Sequence, residues 1–370
     1  MSLSFYVHIP YCVKRCGYCD FNTYTPTELQ DGATLEQVSG DYIDAVLKEL
    51  ESAPREKVST IFFGGGTPSL LPAADLGRVI AAITERNGLD PRSEITIEAN
   101  PDSVNLSYLR SLRAVGFNRI SFGMQSSAPH VLKVLDRTHN PENVKLAVDS
   151  ARKAGFESIS VDLIYGTPGE SLDDWATSVD AALALDIDHI SAYALIVESG
   201  TKLAAQIKRG DVAQPDDDLA ADMYTLADSK FSAAGLNWYE LSNWSKAGHE
   251  CRHNIAYWHN EQWWGLGPGA HSHIDGKRFW NIKHPTTYKE RLMRGESPVA
   301  ESETLTEEQK RDEEVMLKIR LREGLLATPS TAPVLEKFLH SGHLTRDGQR
   351  YTLTLHGRLI ADRIVREVLA

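Results

Sequence analysis

The sequence predicts an α/β protein: a partial TIM-type (β/α)6 barrel followed by a small C-terminal α+β, winged-helix-like domain. Three observations carry that expectation. Between Phe5 and about Val197, short β-branched or aromatic runs alternate six times with amphipathic stretches, which implies parallel strands joined by right-handed crossovers. The apolar runs end in polar residues, at the strand ends where barrels gather their chemistry. From Leu305 the composition shifts to charged, helix-like segments around one hairpin-like stretch.

In order, the strand-like runs are 5–9, 60–63, 94–99, 119–123, 158–164 and 189–196. The helix-like stretches between them are 39–52, 73–86, 106–115, 128–135, 141–154 and 172–185, each with apolar residues at helical spacing. Pro215-Asp-Asp-Asp218 reads as a surface loop whose charges cap a helix over 219–234. Three regions result: a barrel over 1–235, a His/Trp-rich segment over 236–300 that extends it, and a C-terminal domain over 301–370. The last contains helices over 306–322 and 334–341, a hairpin over 347–355 and a final helix over 359–369. Its helices carry mixed charge, so a lid or partner-docking role suits it better than DNA reading.

The 370 residues are 42% hydrophobic and 24% charged, an ordinary globular composition. No apolar run reaches the roughly 18 residues of a membrane span, and the N-terminus lacks the signal-peptide pattern. The expectation is a cytoplasmic protein without a membrane span, touching membranes only peripherally through a partner. A net charge of −12 speaks against general nucleic-acid binding.

The chemistry centres on Cys12-Val-Lys-Arg-Cys16-Gly-Tyr-Cys19, directly after the first strand-like run. A 4Fe–4S cluster held by thiolates alone wants four of them, so three leave one iron open to an exchangeable ligand. Zinc would need a fourth ligand, and its paired C-x-x-C motifs are absent. A disulfide framework belongs to oxidising compartments and short chains. Cys251 is distant in sequence and reads as a buried thiol.

Polar groups punctuate successive strand ends: Gly64-Gly65-Gly66-Thr67, Glu98-Ala-Asn-Pro101, Gly123-Met-Gln125 and Asp162-Leu-Ile-Tyr-Gly166. A glycine triplet lets backbone approach a ligand closely, and is also an ordinary turn. Any one of the polar residues alone reads as a cap. Four strand ends together read as a cleft, because buried polar groups are costly without partners.

Tyr6-Val-His-Ile-Pro10, the cysteine triad, Gly-Gly-Gly-Thr-Pro, Glu-Ala-Asn-Pro and Asp-Leu-Ile-Tyr-Gly, in this order, resemble the oxygen-independent coproporphyrinogen oxidase family of radical S-adenosylmethionine (SAM) proteins. The resemblance covers nearly the whole chain. It implies a 4Fe–4S cluster on Cys12, Cys16 and Cys19, with SAM on the open iron. It places Tyr6 and Tyr18 beside the cluster and Gly65, Gly66 and Thr67 at the methionine end of SAM. Glu98, Gln125, Arg137 and Asp162 would hold SAM's polar groups, and Ala194 would lie against its adenine. Carboxylates suit ribose hydroxyls and the ammonium, and Arg137 suits the carboxylate. The oxidases themselves carry a further cysteine two residues after the third; here that position is Phe21. Cys-x-x-Cys-Asp-Phe instead resembles the sister group of HemW-type heme chaperones.

Residues 236–284 hold six of the seven tryptophans and six of the thirteen histidines. Flat aromatic rings and imidazoles suit a planar macrocycle, and imidazole is a common axial ligand to heme iron. His253-Asn-x-x-Tyr257-Trp258 resembles a signature of the heme chaperones, which makes His253 the first choice of heme ligand, ahead of Cys251, His271 and His273. For any single histidine the ordinary role is a hydrogen-bonded structural one. The resemblance thus implies heme binding and transfer to an acceptor protein, with a reductant protein serving the cluster. The alternatives are a radical oxidoreductase acting on a porphyrinogen, and a regulatory protein that keeps the cofactor site without turnover.

Overall fold

β1 (Leu3–Ile9) is covered on both faces, an apolar one of Leu3, Phe5, Val7 and Ile9 and a polar one of Ser4, Tyr6 and His8, as suits a central strand. It pairs in parallel with β2 (Val58–Gly65) on one edge and with β9 (Trp263–Leu266) on the other. The computed structural model describes residues 3–137 and 139–370; Met1, Ser2 and Thr138, all within the predicted first region, lie outside the described residues. From β2 the sheet continues in parallel through β3 (Leu89–Ala99), β4 (Arg119–Gln125), β5 (Ser158–Tyr165) and β6 (His189–Ala194).

The crossovers are the predicted helices with ends shifted by three residues or fewer: α3 (Tyr42–Leu50), α4 (Ala73–Asn87), α5 (Leu106–Ala114), α6 (Pro129–Val134), α7 (Pro141–Ala154) and α8 (Leu172–Leu183). Two short helices before α3 escaped the sequence reading, α1 (Pro26–Leu29) and α2 (Leu35–Ser39). Each is too short to display a period and is specified by a capping box, Thr25 with Glu28 and Thr34 with Gln37. The sixth strand stops at Ala194, short of the predicted Ile196, where the Leu195 N–H turns back to the Tyr165 carbonyl at 2.8 Å.

After α9 (Lys202–Arg209) and α10 (Asp217–Ala233), the chain extends the sheet at both edges. β7 (Asn237–Glu240) and β8 (Asn243–Ser245) add antiparallel strands beside β6. α11 (Arg252–Trp258) follows, then β9, β10 (His271–Ile274) and β11 (Lys277–Asn281), then α12 (Pro285–Met293) and β12 (Val299–Thr304). The result is a twelve-stranded sheet with the six-stranded parallel barrel at its centre. β12 carries the extension to Thr304, past the predicted boundary at 300.

A second core follows, built from α13 (Glu307–Lys318), α14 (Ala332–His340), α15 (Leu355–Leu359), α16 (Ala361–Leu369) and the three-stranded sheet of β13 (Leu325–Leu326), β14 (Leu344–Asp347) and β15 (Arg350–Leu353). Arg358 fastens it to α10 through a two-pronged ion pair with Asp228, at 2.7 and 2.8 Å. Among the described residues, no helix is long and apolar enough to cross a membrane.

Candidate cofactor site

The C-terminal ends of β1–β6 open on a cavity of about 810 Å³. Cys12, Cys16 and Cys19 lie on the loop after β1, all half-buried and all lining that cavity. The loop is tied at both ends: Cys12 N–H donates to the Tyr24 carbonyl at 3.0 Å, and Tyr24 N–H to the Pro10 carbonyl at 2.7 Å. Its middle is pinned by Gly17 N–H to the Leu135 carbonyl at 3.3 Å. Asp136 anchors the far side with two lysines, Lys14 at 2.6 Å and Lys202 at 2.7 Å.

The three thiols influence one another electrostatically. Yet among the described residues no three His, Cys, Asp or Glu side chains converge closely enough to hold a single metal ion. Three thiols lining one cavity fit a 4Fe–4S cluster that leaves one iron open to a further ligand. Burial pushes the Cys12 thiol up to about 11, against a hydrogen bond from the Thr67 hydroxyl at 3.7 Å. Iron would therefore displace protons on binding. Arg137 Nη1 reaches Cys16 Sγ at 3.6 Å, and Nη2 donates to the Gly123 carbonyl at 2.8 Å.

The Gly64–Gly66 turn braces this loop from beneath. Gly66 N–H donates to the Ile9 carbonyl at 2.7 Å and Thr67 N–H to the Tyr11 carbonyl at 2.8 Å. A Cβ on Gly66 would lie 2.5 Å from the Tyr11 oxygen, so only glycine allows the approach. Gly65 has φ +109° and donates its N–H to Glu98 Oε2 at 3.2 Å.

Glu98 and Asp162 face the cavity from β3 and β5. Burial, with Asp162 next, pushes Glu98 up to about 8. Burial raises Asp162 also, against a Ser121 hydroxyl bond at 2.9 Å. Among the described residues neither carboxylate has a Lys, Arg or His within 4.0 Å. Two half-buried acids without a cation, beside an arginine and three thiols, fit a ligand bearing a sulfonium, an ammonium, a carboxylate and a ribose diol.

Gln125 ends β4 with φ 61°, a left-handed conformation that non-glycine residues adopt rarely. Tyr6, Tyr18 and Ala194 also line the cavity; Tyr6 donates to His8 Nδ1 at 3.1 Å, and Tyr18 packs on the small cluster of Val131, Leu135 and Ile164. The structure thus brings Tyr6, Tyr18, Gly65, Gly66, Thr67, Glu98, Gln125, Arg137, Asp162 and Ala194 to one cavity with the three cysteines.

Residues 6–182 match the profile of the radical SAM superfamily. The chain is 48% identical to the heme chaperone HemW of Mycobacterium tuberculosis, over 98% of this chain and 94% of that one. The chain belongs to the HemW family of radical SAM proteins. Other members are HemW of Bacillus subtilis, 36% identical over 87% of this chain and 84% of that one, and HemW of Escherichia coli, 32% identical over 100% and 98%. The fold is that of the solved coproporphyrinogen III oxidase (HemN) from Escherichia coli, with TM-score 0.84 and 23% identity over 99% of this chain and 90% of that one. Membership of the superfamily implies a 4Fe–4S cluster and SAM.

His253 lines the same cavity as the other predicted site residues, its ring 6.5 Å from that of Tyr6, but enters it from a different element. It lies on α11, next to the N-terminal ends of the barrel strands, only 2% exposed. Nδ1 contacts the Thr60 hydroxyl at 2.8 Å and Nε2 the Tyr257 hydroxyl at 2.9 Å, so both ring nitrogens are engaged. Burial pushes it down to about 3, leaving it neutral. The predicted first-choice heme ligand is therefore a cavity-lining residue with both ring nitrogens partnered, and in this conformation neither nitrogen is free for iron. Cys251 is buried against Glu94 at 3.6 Å. His273 is buried, whereas His271 is exposed and stacks on Trp280 at 5.4 Å.

Sequence reading missed Glu94, which accepts the N–H groups of Arg252 and His253, both at 3.0 Å, and so seats α11 on the barrel. It missed Arg119 and Ser160 inside the cavity as well. Arg119 and Ser160 fall near the starts of their strands and Glu94 in the middle of β3, and period-2 placement, with Glu98, Gly123 and Asp162 on the same faces, was the signal available for them.

Proposed function

We propose that this chain binds heme and delivers it to an acceptor protein, while carrying a 4Fe–4S cluster on Cys12, Cys16 and Cys19 with SAM on the open iron. The observation that supports the reading most is the 48% identity, over 98% of the chain, to a protein named a heme chaperone. Residue 21 points the same way. The sequence resemblance puts a cysteine here in coproporphyrinogen oxidases, and this chain has a phenylalanine that is 61% exposed at the mouth of the cavity. Phe21, Val13 and Ile196 give that mouth an exposed apolar rim, with Lys14 and Arg15 on the same loop. Flat apolar rings suit a macrocycle and cations suit its carboxylates.

Within the cavity, Glu98 and Asp162 are suited to the ribose hydroxyls and the ammonium of SAM, Arg137 to its carboxylate, Gly65, Gly66 and Thr67 to its methionine end, and Ala194 to its adenine. Tyr6 and Tyr18 close the site beside the cluster. Bound together, cluster and SAM would supply one-electron chemistry. A reductant protein would serve the cluster, and the cytoplasm suits thiols kept reduced. His253 can ligate heme iron only if the Tyr257 or the Thr60 hydroxyl gives up a ring nitrogen; His271 needs no such change.

Hemin titration of the anaerobically reconstituted protein tests the reading, with His253→Ala and His271→Ala beside the parent. A saturable Soret-band change, followed by transfer to an apo-hemoprotein, is expected. No saturable change in the parent would end the proposal. Incubation with reductant, SAM and coproporphyrinogen separates it from the oxidase, for which vinyl product would form.

A further inference from the structure

The cavity has two storeys. The residues assigned to SAM lie at the strand ends, whereas Arg119 starts β4, four residues before Gly123 and so ~13 Å deeper at the rise of a strand. By the sheet register, Thr96 lies opposite Arg119 on one side and Ser158 on the other, while Ser160 pairs with His189. Thr96, Arg119, Ser160 and His189 all line this lower storey, together with Cys251 and Asn254 from the α11 region.

Arg119 is 3% exposed. Among the described residues its guanidinium has no carboxylate within 4.0 Å, and only Nη1 makes hydrogen bonds, to the Ser158 hydroxyl at 2.8 Å and the His249 carbonyl at 3.0 Å. The carboxylates that act on it through space are committed elsewhere: Glu94 to the α11 N–H groups and Asp162 to Ser121. His189 is occupied on both nitrogens, by the Ser160 hydroxyl and the Tyr239 hydroxyl, each at 2.8 Å. The Thr96 hydroxyl is fully buried and has no hydrogen-bond partner among the described residues. Buried guanidinium groups are ordinarily paired with an anion, and buried hydroxyls are ordinarily satisfied.

We propose that the lower storey is a second ligand site, which takes a small oxyanion, a carboxylate or a phosphate, on the free fork of Arg119 with the Thr96 hydroxyl as a further donor. The planar guanidinium binds either group in two-pronged fashion. The site lies directly beneath the SAM layer, with Thr96 two positions before Glu98 and Ser160 two before Asp162, and it does not depend on the heme reading.

The test is calorimetric titration of the reconstituted protein with formate and with inorganic phosphate, against chloride at matched ionic strength. Saturable binding of at least one of the two oxyanions, with no chloride equivalent, is expected. Formate alone would mark a carboxylate site and phosphate alone a phosphate site. Arg119→Gln should weaken binding at least ten-fold. Thr96→Val, which keeps shape and adds no charge, should weaken it several-fold and guards against an Arg119 variant that does not fold. The proposal is overturned if neither oxyanion binds saturably, or if both variants bind as the parent does.

Discussion

His8 Nε2 donates a hydrogen bond to the main-chain oxygen of Asn22 at 2.9 Å. A carbonyl can only accept, so Nε2 carries the proton and Nδ1 is left to accept from the Tyr6 hydroxyl. Burial lowers the pKa of His8, against the Asn22 bond, which keeps it neutral. Asn22 in turn donates to the carbonyls of Pro268 and Lys283, at 3.0 and 2.8 Å. One imidazole thus joins a cavity tyrosine, the exit of the cysteine loop and the strands added beside β1. His8→Phe should leave Tyr6 and Asn22 unpaired, at roughly 1–3 kcal/mol for each buried group. Iron and sulfide assays after reconstitution should find less than half the parent's cluster, and His8→Gln should retain more. Unchanged cluster content in His8→Phe would contradict this coupling.

Gly66 should be intolerant for a different reason. Its missing Cβ would strike main chain rather than a movable side chain, 2.5 Å from the Tyr11 oxygen. Gly66→Ala should displace the loop bearing Cys12 and reduce both cluster content and SAM affinity. Gly235→Ala is the control: it is left-handed at φ +82°, unlike Gly66, and has nothing within 4 Å. It should cost stability alone, with the cluster assay unchanged.

Glu49 supplies a pH test. It is fully buried between the barrel and the added strands, accepting from Gly267 N–H at 2.8 Å, Asn281 Nδ2 at 2.6 Å and the Tyr288 hydroxyl. Burial pushes it up to about 7 from an ordinary 4.5, against those three bonds. The fold therefore favours the protonated form. Its contribution is complete below pH 4.5 and is lost as pH rises through about 7, by up to ~3 kcal/mol. Glu49→Gln keeps an acceptor without the charge. Thermal melts should place it close to the parent at pH 5 and above it at pH 8; a parent-minus-variant difference flat with pH would count against the assignment.

Asp228 holds the second domain. Besides its two bonds to Arg358 it accepts the Trp244 indole N–H at 2.8 Å, and Arg358 lies 4.5 Å over the Trp238 ring. Asp228→Ala strands a buried guanidinium and should cost about 3–5 kcal/mol. Limited proteolysis should then cut near the junction before α13. Replacing both partners by apolar residues should restore much of the loss, because the cost lies in the unpaired charge rather than in the pair's absence.

The local chemistry of this protein is written in its sequence. Three thiols in eight residues, a glycine triplet and polar residues at the ends of apolar runs specify which side chains meet, because parallel strands deliver their C-terminal ends to one place. The helices from 73 to 183 were legible for the same reason, being long enough to display a period. Position relative to distant segments was not legible. His253 reads from the sequence as a candidate heme ligand in an aromatic segment, with a hydrogen-bonded structural role as the alternative; only the fold shows that Glu94, 159 residues earlier, seats its helix against the barrel and that Thr60 takes a ring nitrogen. Arg119 looked like the flank of an apolar strand until the register turned it inward. Trp263–Leu266 is too short to announce a parallel partner for β1. Such contacts are fixed by which buried polar group lacks a partner once the sheet has closed, and a one-dimensional pattern carries no record of that.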